Sequence, residues 1–224
     1  NQVTQSGQVE AGGFVPSGVY DADGADGDDF RTVGGDYYKP TDADYEANCD
    51  EARQLLADAG YPNGEGFPVL EYLYNTSDAH KAVAEALQFM WEEELGVKVT
   101  LNNQEWAAFL QTRKDGDYSI ARNGWIADYN DPISFLDMWM TGGGNNDAQY
   151  ANDEYDALIK QAKTTTDNAE RMDLLHQAED KLIGEDSVLA PLYFYTQKYM
   201  LADGIEGMYY CPLGYFFFGY THQA

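Results

Sequence analysis

Histidines and cysteines, the side chains most often used in catalysis and metal binding, are few in this chain and lie far apart. The histidines are His80, His176 and His222, and they form no HExxH or other metal-ligand spacing. Cys49 and Cys211 form no CxxC motif, and the sequence leaves open whether they pair or stay free. No GxSxG or SxxK nucleophile motif occurs. We therefore expect no catalytic centre, metal centre or cofactor, and a protein that is not an enzyme.

An acidic loop is the one segment that superficially resembles a metal site. Residues 21–29 have the sequence DADGADGDD. The register of a calcium loop fails, because Ala25 occupies the fifth position and no Glu stands at the twelfth. A solvated acidic loop is the alternative to calcium binding, and the sequence does not decide between them.

A second segment combines aromatic and charged side chains in a way that suits a ligand. Residues 122–132 (RNGWIADYNDP) place Trp125, Asp128 and Tyr129 at the end of a predicted strand, where ligands of open α/β sheets bind. A carboxylate screened by the two aromatic rings suits an ammonium group, with an attraction of roughly 4 kcal/mol at about 4 Å and an effective dielectric of about 20, before desolvation. The structural alternative is that Asp128 caps the next helix or pairs with Arg122.

Alternating strand and helix patterns position this segment. The spacing of apolar residues predicts helices over 42–59, 78–95, 106–114, 133–140, 152–163 and 168–184, and strands over 69–74, 97–101, 118–126, 188–195 and 198–202. Thr41 or Asp42 would cap the first helix, and its inward face would carry Ala52, Leu55, Leu56 and Ala59. The order strand–helix–strand–helix–strand predicts an α/β layer structure with parallel strands.

Composition limits the possible partners. The formal net charge of −26 disfavours nucleic acid, because such a surface repels phosphate. No apolar run is long enough to span a membrane, and no signal peptide is visible. Since Asn1 opens in polar sequence without an initiating Met, we expect a fragment of a longer chain. The aromatic tail over 208–220 is either an ordinary core strand or a face for another part of the molecule.

Short motifs along the chain occur in an order and spacing that resemble one protein family. They are, in chain order, Tyr74-Asn75-Thr76-Ser77-Asp78 with His80-Lys81, Gly96-Val97, Asn103-Gln104-Glu105-Trp106, Thr112-Arg113, Ala121-Arg122, Gly124-Trp125, Ala127-Asp128-Tyr129-Asn130, Pro132, Ser134-Phe135-Leu136, Asn145-Asn146, Tyr150 and Pro191-Leu192-Tyr193. From about Cys49 to Leu201 the chain resembles the C-terminal lobe of oligopeptide-binding proteins, the family-5 solute-binding proteins of ABC importers. Residues 1–43 match only loosely, around Phe14-Val15-Pro16.

The resemblance implies a two-lobed, Venus-flytrap protein that encloses an extended peptide and delivers it to the permease subunits of an ABC transporter. This chain would be a single C-terminal lobe, with a loop-rich start (1–43), an α/β core (44–202) and an aromatic tail (203–224). The N-terminal lobe of the same protein would complete the site. The resemblance also implies a location in the periplasm, or at the extracellular face of the membrane as a lipoprotein.

The resemblance assigns ligand-binding roles to particular residues. The Asp of the family's W-x-x-D-Y motif, here Asp128 beside Tyr129, binds the peptide's α-amino group, while backbone near Gly124 and Ile126 runs beside the ligand. The remaining implied contacts are aromatic pocket walls at Trp106 and Trp125, and carboxylate or side-chain contacts at Arg113, Arg122 and His80. Asn123 departs from the small residue common in the motif.

Other functions remain open at this point. Some relatives within the family bind nickel complexes, haem or oligosaccharides, although an Asp beside a Trp favours peptides because neutral sugars have no ammonium group. A secreted hydrolase is the alternative from another class, and the missing nucleophile–base set argues against it. A sensory role, in which the lobe reports peptide to a membrane partner, is the third alternative.

Overall fold

The fold was analysed in a computed structural model, which describes residues 3–4, 7–38, 41, 43–211 and 213–224. Its α-helices, in chain order, are α1 (Phe30–Gly34), α2 (Tyr45–Asp58), α3 (Asp78–Leu95), α4 (Trp106–Asp115), α5 (Ile133–Leu136), α6 (Asp153–Ala162) and α7 (Asn168–Glu179). Its strands are β1 (Val9–Glu10), β2 (Leu70–Asn75), β3 (Val99–Gln104), β4 (Ile120–Ala121), β5 (Tyr193–Phe194), β6 (Ile205–Glu206), β7 (Tyr209–Cys211), β8 (Tyr215–Phe217) and β9 (His222–Gln223).

A three-stranded parallel sheet with the order β3-β2-β4 forms the α/β part, as the sequence predicts. Side chains of β2 alternate between its two faces. Tyr72 and Tyr74 pack with Ala84 of α3 and with Val99 in one apolar core. Leu73 points to the other face and is fully buried. Because parallel strands need long crossovers, α3 and α4 connect the three strands and cover the sheet.

The ends of α3 follow from local sequence, and both agree with the prediction. Ser77, in an extended conformation, precedes the first turn. Gly96 ends the helix in the left-handed conformation, with φ of 67°, and its N–H bonds to Glu92 O. A Cβ at this position would lie 2.3 Å from Asn63 O, so Gly96 is required by both conformation and space.

A second, helical core lies beside the sheet. It is built from α5, α6 and α7 around the buried residues Trp139, Tyr155 and Leu175, and it also contains Val15 and Phe30 from the start of the chain. Met172, Leu175, Ala178 and Leu182 are buried, as the periodicity of this region predicts. The helix predicted over 168–184 is α7 followed by a π-helical turn, Asp180–Glu185.

A buried ion pair ties the start of the chain to α7. The Glu179 carboxylate is 0% exposed. It accepts hydrogen bonds from the backbone N–H groups of Phe14 and Val15, both at 2.9 Å. Arg31 donates to both of its oxygens, at 3.0 and 2.8 Å. The carboxylate is therefore saturated by donors from two separate segments.

Several predicted strands are shorter than expected or wrong. Of 118–126, only Ile120–Ala121 pairs with β2, and of 188–195 only Tyr193–Phe194 pairs, with β1. The prediction over 198–202 is wrong, because these residues join no ladder in the described part of the chain. The predicted helix 133–140 is α5 followed by a 3-10 turn, Asp137–Trp139.

The start of α2 also differs from the prediction. The helix begins at Tyr45, with Asp44 in the N-cap position, and the proposed cap Asp42 lies outside the described residues. Thr41 bonds to Asp44 instead of capping the helix itself. Of the four residues predicted to face inward, Ala52 and Leu56 are partly buried, and Leu56 packs against the apolar core of the α/β part. The prediction is wrong for Leu55 and Ala59, because both are exposed.

Two small antiparallel pairs, β7–β8 and β6–β9, form the end of the chain. Many large side chains here are exposed, among them Met200, Tyr209, Tyr215, Phe218 and Tyr220. The tail predicted as either core strand or docking face is therefore hairpin structure with an open aromatic surface. Among the residues that the structure describes, no helix is both long enough and apolar enough for a bilayer crossing.

Candidate ligand-binding site

The carboxyl ends of the three parallel strands bring polar residues together. β2 ends at Asn75, which is paired with Gln104 at the end of β3. β4 ends at Ala121, directly before Arg122, whose N–H bonds to Leu73 O at 2.8 Å. Strand direction alone therefore places Asn75, Gln104 and Arg122 at one edge of the sheet, the position expected for a ligand site.

Arg122 lies at the centre of a small polar cluster. Its Nη1 donates to Asn75 Oδ1 at 3.3 Å, and its Nη2 bonds to the hydroxyl of Tyr195. Nδ1 of His80 lies 3.3 Å from Asn75 O. No carboxylate within the described ranges forms an ion pair with Arg122, so its positive charge is uncompensated among these residues. Such a charge can stabilise an anionic ligand group.

Burial and this charge keep His80 neutral. Desolvation by burial lowers the pKa of His80 below the usual histidine range, and the positive charge of Arg122 lowers it further. The same buried surroundings raise the pKa of Tyr72, on the neighbouring strand, to about 12. The cluster thus holds one permanent cation, Arg122, and one imidazole whose pKa a bound anion would raise, which favours uptake of a proton from solvent.

Arg113 of α4 joins the same region, although its charge is compensated. Its Nε lies 2.7 Å from Asp147 Oδ2, and both side chains are 13% exposed. Its Nη1 donates to Asn123 Oδ1 at 2.8 Å and contacts Arg122 O at 3.4 Å. Its guanidinium also lies over the ring of Phe109, 5.2 Å from the centroid.

Trp106 stands at the first turn of α4, at the rim of this region. Its ring is stacked on that of Phe109, with centroids 5.8 Å apart, and the residue is 53% exposed. Since Phe109 is fully buried, it fixes the position of the tryptophan. The exposed indole can therefore form one wall of a pocket.

Residues 122–128, the bridging segment, run from the sheet to the helical core. Exposure alternates along it: Gly124, Ile126 and Asp128 are exposed, whereas Trp125 and Ala127 pack against the helical core. The Trp125 Nε1 donates to Ser134 O at 2.7 Å, which fixes the inward face. Within the described chain, residues 123–128 form no backbone–backbone hydrogen bond.

The Asp128 side chain is exposed and available. Its own N–H donates to Ser134 Oγ at 3.0 Å, while its carboxylate makes no hydrogen bond or ion pair with any described residue. Both structural alternatives for Asp128 are wrong. Asp131, not Asp128, accepts from the N–H of Ile133 at the start of α5, and Arg122 bonds to neutral partners.

The turn that follows Asp128 is held from outside. Asp131 forms a two-pronged ion pair with Arg171 of α7, at 2.9 and 2.8 Å. Asn130 accepts from Tyr20 N and donates to Gly18 O. Tyr129, directly before these two residues, is half exposed. Burial raises the pKa of its hydroxyl, and the negative charges of nearby carboxylates raise it further. The carboxylate of Asp128 is thus presented from a fixed turn.

Contacts join four of the predicted site residues, His80, Arg113, Arg122 and Gly124, at the sheet edge, partly through Asn75 and Asn123. Trp106 begins α4, two residues after the end of β3. Trp125, Ile126, Asp128 and Tyr129 follow along the bridging segment and the turn after it. Three further residues of the site, Asn75, Tyr195 and Asp147, were not singled out from the sequence. Their contacts with Arg122 and Arg113 join residues between 34 and 73 positions apart, which no local pattern reveals.

The acidic loop has structural partners. Asp21 Oδ2 lies 2.8 Å from His176 Nε2, and His176 is stacked on Phe30. Asp29 accepts from the N–H groups of Gly18 and Thr32 and so caps α1. Within the residues that the structure describes, no group of three or more His, Cys, Asp or Glu side chains could hold a metal ion.

Comparisons with known proteins show which proteins this chain is similar to. The family model "Bacterial extracellular solute-binding proteins, family 5 Middle" matches residues 1–147. The dipeptide-binding protein DppE of Bacillus subtilis (strain 168) is 39% identical over 214 residues, which are 95% of this chain and 37% of DppE. The periplasmic oligopeptide-binding protein OppA of Salmonella typhimurium is 40% identical over 158 residues, which are 70% of this chain and 29% of OppA.

A solved structure extends the similarity to the fold. The Haemophilus influenzae OppA complex with the peptide RPPGFSPFR matches with a TM-score of 0.73 and 30% identity, over 92% of this chain and 38% of that one. The mixed α/β fold predicted from the sequence is therefore that of periplasmic oligopeptide-binding proteins. The chain spans about a third of the length of the curated relatives it matches.

Proposed function

The chain belongs to the bacterial extracellular solute-binding proteins of family 5, and on that premise we propose that the protein containing it captures extended peptides for an ABC importer. The peptide lies between this lobe and a second one and is delivered to the membrane permease. The protein acts outside the cytoplasmic membrane, either in the periplasm or as a lipoprotein at the cell surface. It binds its ligand without chemistry and is not an enzyme.

The observation that supports this proposal is that residues 123–128 of the bridging segment have no strand partner. They form no backbone–backbone hydrogen bond in the described chain, and only the N–H groups of Gly124 and Asp128 bond to side chains, those of Asn123 and Ser134. The Trp125 and Ala127 side chains pack against the helical core. An extended peptide can pair with such a segment as an added strand, which gives affinity without selecting side chains. At about 3.3 Å per residue, an extended 122–128 segment is about 20 Å long, the span of a short peptide.

The two ends of the segment have opposite charges. The exposed carboxylate of Asp128 suits the α-amino group of a peptide, and Arg122 with His80 suits a carboxylate at the other end. The peptide would therefore lie with its amino end at Asp128. Charge at both ends supports a zwitterionic ligand over a neutral sugar.

The other site residues provide walls and room. Trp106 and Tyr129 are exposed aromatic surfaces that can contact peptide side chains. Trp125 fixes the segment from its inward side. Ile126, 63% exposed, and Gly124 lie on the outward side, beside the path of the peptide. A Cβ at Gly124 would lie 2.9 Å from the Tyr195 hydroxyl and 3.1 Å from Arg122 Nη2, so a glycine here preserves the carboxylate subsite.

Replacing the amino-end anchor tests this proposal. In the full-length protein, we expect Asp128→Ala to weaken binding of a short peptide by at least about 2 kcal/mol, because the ammonium group loses its charged partner when the lobes close over it. Isothermal titration calorimetry measures the change. N-acetylation of the peptide should weaken binding to the wild type, and should have little further effect in the variant.

A matched control separates this contact from general charge. Asp117→Asn removes a carboxylate from an exposed turn on the other side of β4 and should leave the affinity unchanged. Equal affinity of wild type and Asp128→Ala for the free peptide would contradict the assigned register.

A further inference from the structure

We propose that Asp147 determines ligand specificity, by neutralising Arg113 so that this part of the site accepts an uncharged group and disfavours a carboxylate. This inference rests on the proposed function, since it concerns the same ligand path. It assigns different roles to Arg113 and Arg122, the two arginines of the site, which the sequence alone does not distinguish.

The geometry of the pair supports compensation. The Nε···Oδ2 distance of 2.7 Å is that of a strong, charge-assisted hydrogen bond, and both side chains are largely buried. A buried pair of opposite charges has little net field to offer a third charge. Arg122 differs, because its partners Asn75 and Tyr195 are neutral and leave its full charge to a ligand.

Arg113 is also committed to holding the bridging segment. Its Nη1 donates to the Asn123 side chain and contacts Arg122 O, and Asn123 Oδ1 in turn accepts from Gly124 N at 2.7 Å. Its Nη2 has no acceptor within the described part of the chain. Arg113 therefore keeps hydrogen-bond donors for a ligand carbonyl or amide oxygen without an excess positive charge.

Asp147 is held rigidly enough for this role. Tyr118 donates its hydroxyl hydrogen to Asp147 O at 2.8 Å. The preceding residue, Asn146, is buried and donates to the carbonyls of Trp139, Met140 and Tyr150. The loop that presents Asp147 is thus fixed to the helical core.

A double-mutant cycle that removes the charges of Asp147 and Arg113 in the full-length protein tests the inference. Calorimetry would compare alanine tripeptides and tetrapeptides that carry glutamate or glutamine at one position. We expect Asp147→Asn to raise the glutamate-to-glutamine affinity ratio at one position by about fivefold or more, because Arg113 becomes an uncompensated cation. Arg113→Gln should lower the ratio at that same position, because Asp147 is left alone, and the double variant should return it to near the wild-type value.

The outcomes are distinct. Opposite shifts of the ratio in the two single variants support the specificity role, which a purely structural contact would not produce. An unchanged ratio, or an equal loss for all peptides, overturns it even if the wild type binds peptides well. If Asp147→Asn does not fold, Arg113→Gln is compared with the double variant instead. The glutamate-to-glutamine affinity ratio should then be lower in Arg113→Gln than in the double variant. If the wild type binds none of the peptides, the proposed function fails and this inference with it. Asp117→Asn, with the same change in net charge, should leave the ratio unchanged.

Discussion

At the scale of single residues, the site depends on which charges the protein compensates and which it leaves open. Arg122 and Asp128 lie at opposite ends of the bridging segment, and neither has an oppositely charged partner among the described residues. Arg113 has one, Asp147, at 2.7 Å. Charged groups without partners near a surface are available to a ligand, whereas a compensated pair mainly fixes the structure around it.

Because His80 lies in the site, we expect peptide binding to depend on pH. Burial and Arg122 lower the pKa of His80 in the free protein, and a peptide carboxylate nearby would raise it, because an anion stabilises the imidazolium. We therefore expect proton uptake by His80 when the peptide binds. Since the bound pKa is the higher one, affinity for the peptide should rise as the pH falls through the histidine range.

Calorimetry in buffers of different ionisation enthalpy measures this uptake. A peptide with an amidated carboxyl end should show less uptake, and His80→Gln should show none from this group. Uptake of equal size in wild type and His80→Gln would contradict the placement of the ligand carboxylate beside His80.

The sequence predicts the residues of the site that lie in one local motif. Trp125, Asp128 and Tyr129 are found because a strand end concentrates them. Asn75 and Tyr195 are not, since each reaches Arg122 from a distant part of the chain. Their roles depend on the sheet order and on the return of the chain at β5, which periodicity does not encode.

At the scale of elements, helices with clear ends agree with prediction. α3 and α4 each end at a glycine in the left-handed conformation, Gly96 and Gly116. Such ends are local and visible in the sequence. The parallel order of β2, β3 and β4 also follows from alternation with helices.

Strand length could not be predicted, because pairing is not local. After Ala121 the chain leaves the sheet, since Trp125 and Ala127 pack into the helical core. The residues still alternate between buried and exposed, which gives a strand pattern without a strand partner. Because the chain leaves the sheet here, residues 123–128 have no strand partner in the described chain, and the proposed function depends on this.

The attachment of the chain's start to α7 allows a prediction of stability. Glu179→Ala removes the acceptor of two backbone N–H groups and leaves Arg31 buried without its closest counter-ion. We expect a loss of about 3 to 5 kcal/mol in the free energy of unfolding, because a buried charge stays unpaired. Urea unfolding followed by circular dichroism measures the loss.

The control for this change is on the same helix. Asp173 is exposed, and among the described residues its side chain bonds only to Gln177, one turn further along the helix. Asp173→Ala should therefore change stability by no more than about 0.5 kcal/mol. If Glu179→Ala were as mild as Asp173→Ala, the start of the chain would not be held by this ion pair.

At the scale of the whole molecule, two cores meet along the site. The α/β part supplies Arg122, directly after β4, and His80, in α3. The helical core fixes Trp125, and Arg171 of α7 holds the turn beyond Asp128. The formal net charge of −26 disfavours a nucleic-acid partner and favours solubility. This chain matches 37% and 29% of the lengths of its relatives DppE and OppA, so the proposed enclosure of the ligand depends on sequence beyond these 224 residues.

Native mass spectrometry of the full-length protein, purified without denaturation, tests the proposed capture of peptides most directly. We expect a ladder of co-purifying masses that match short peptides, because backbone pairing retains many sequences of similar length. Exchange of this ladder for a single added tripeptide would show that one site holds them all. A single non-peptide mass, such as a sugar or a metal chelate, would contradict peptide capture and remove the role assigned to Asp128.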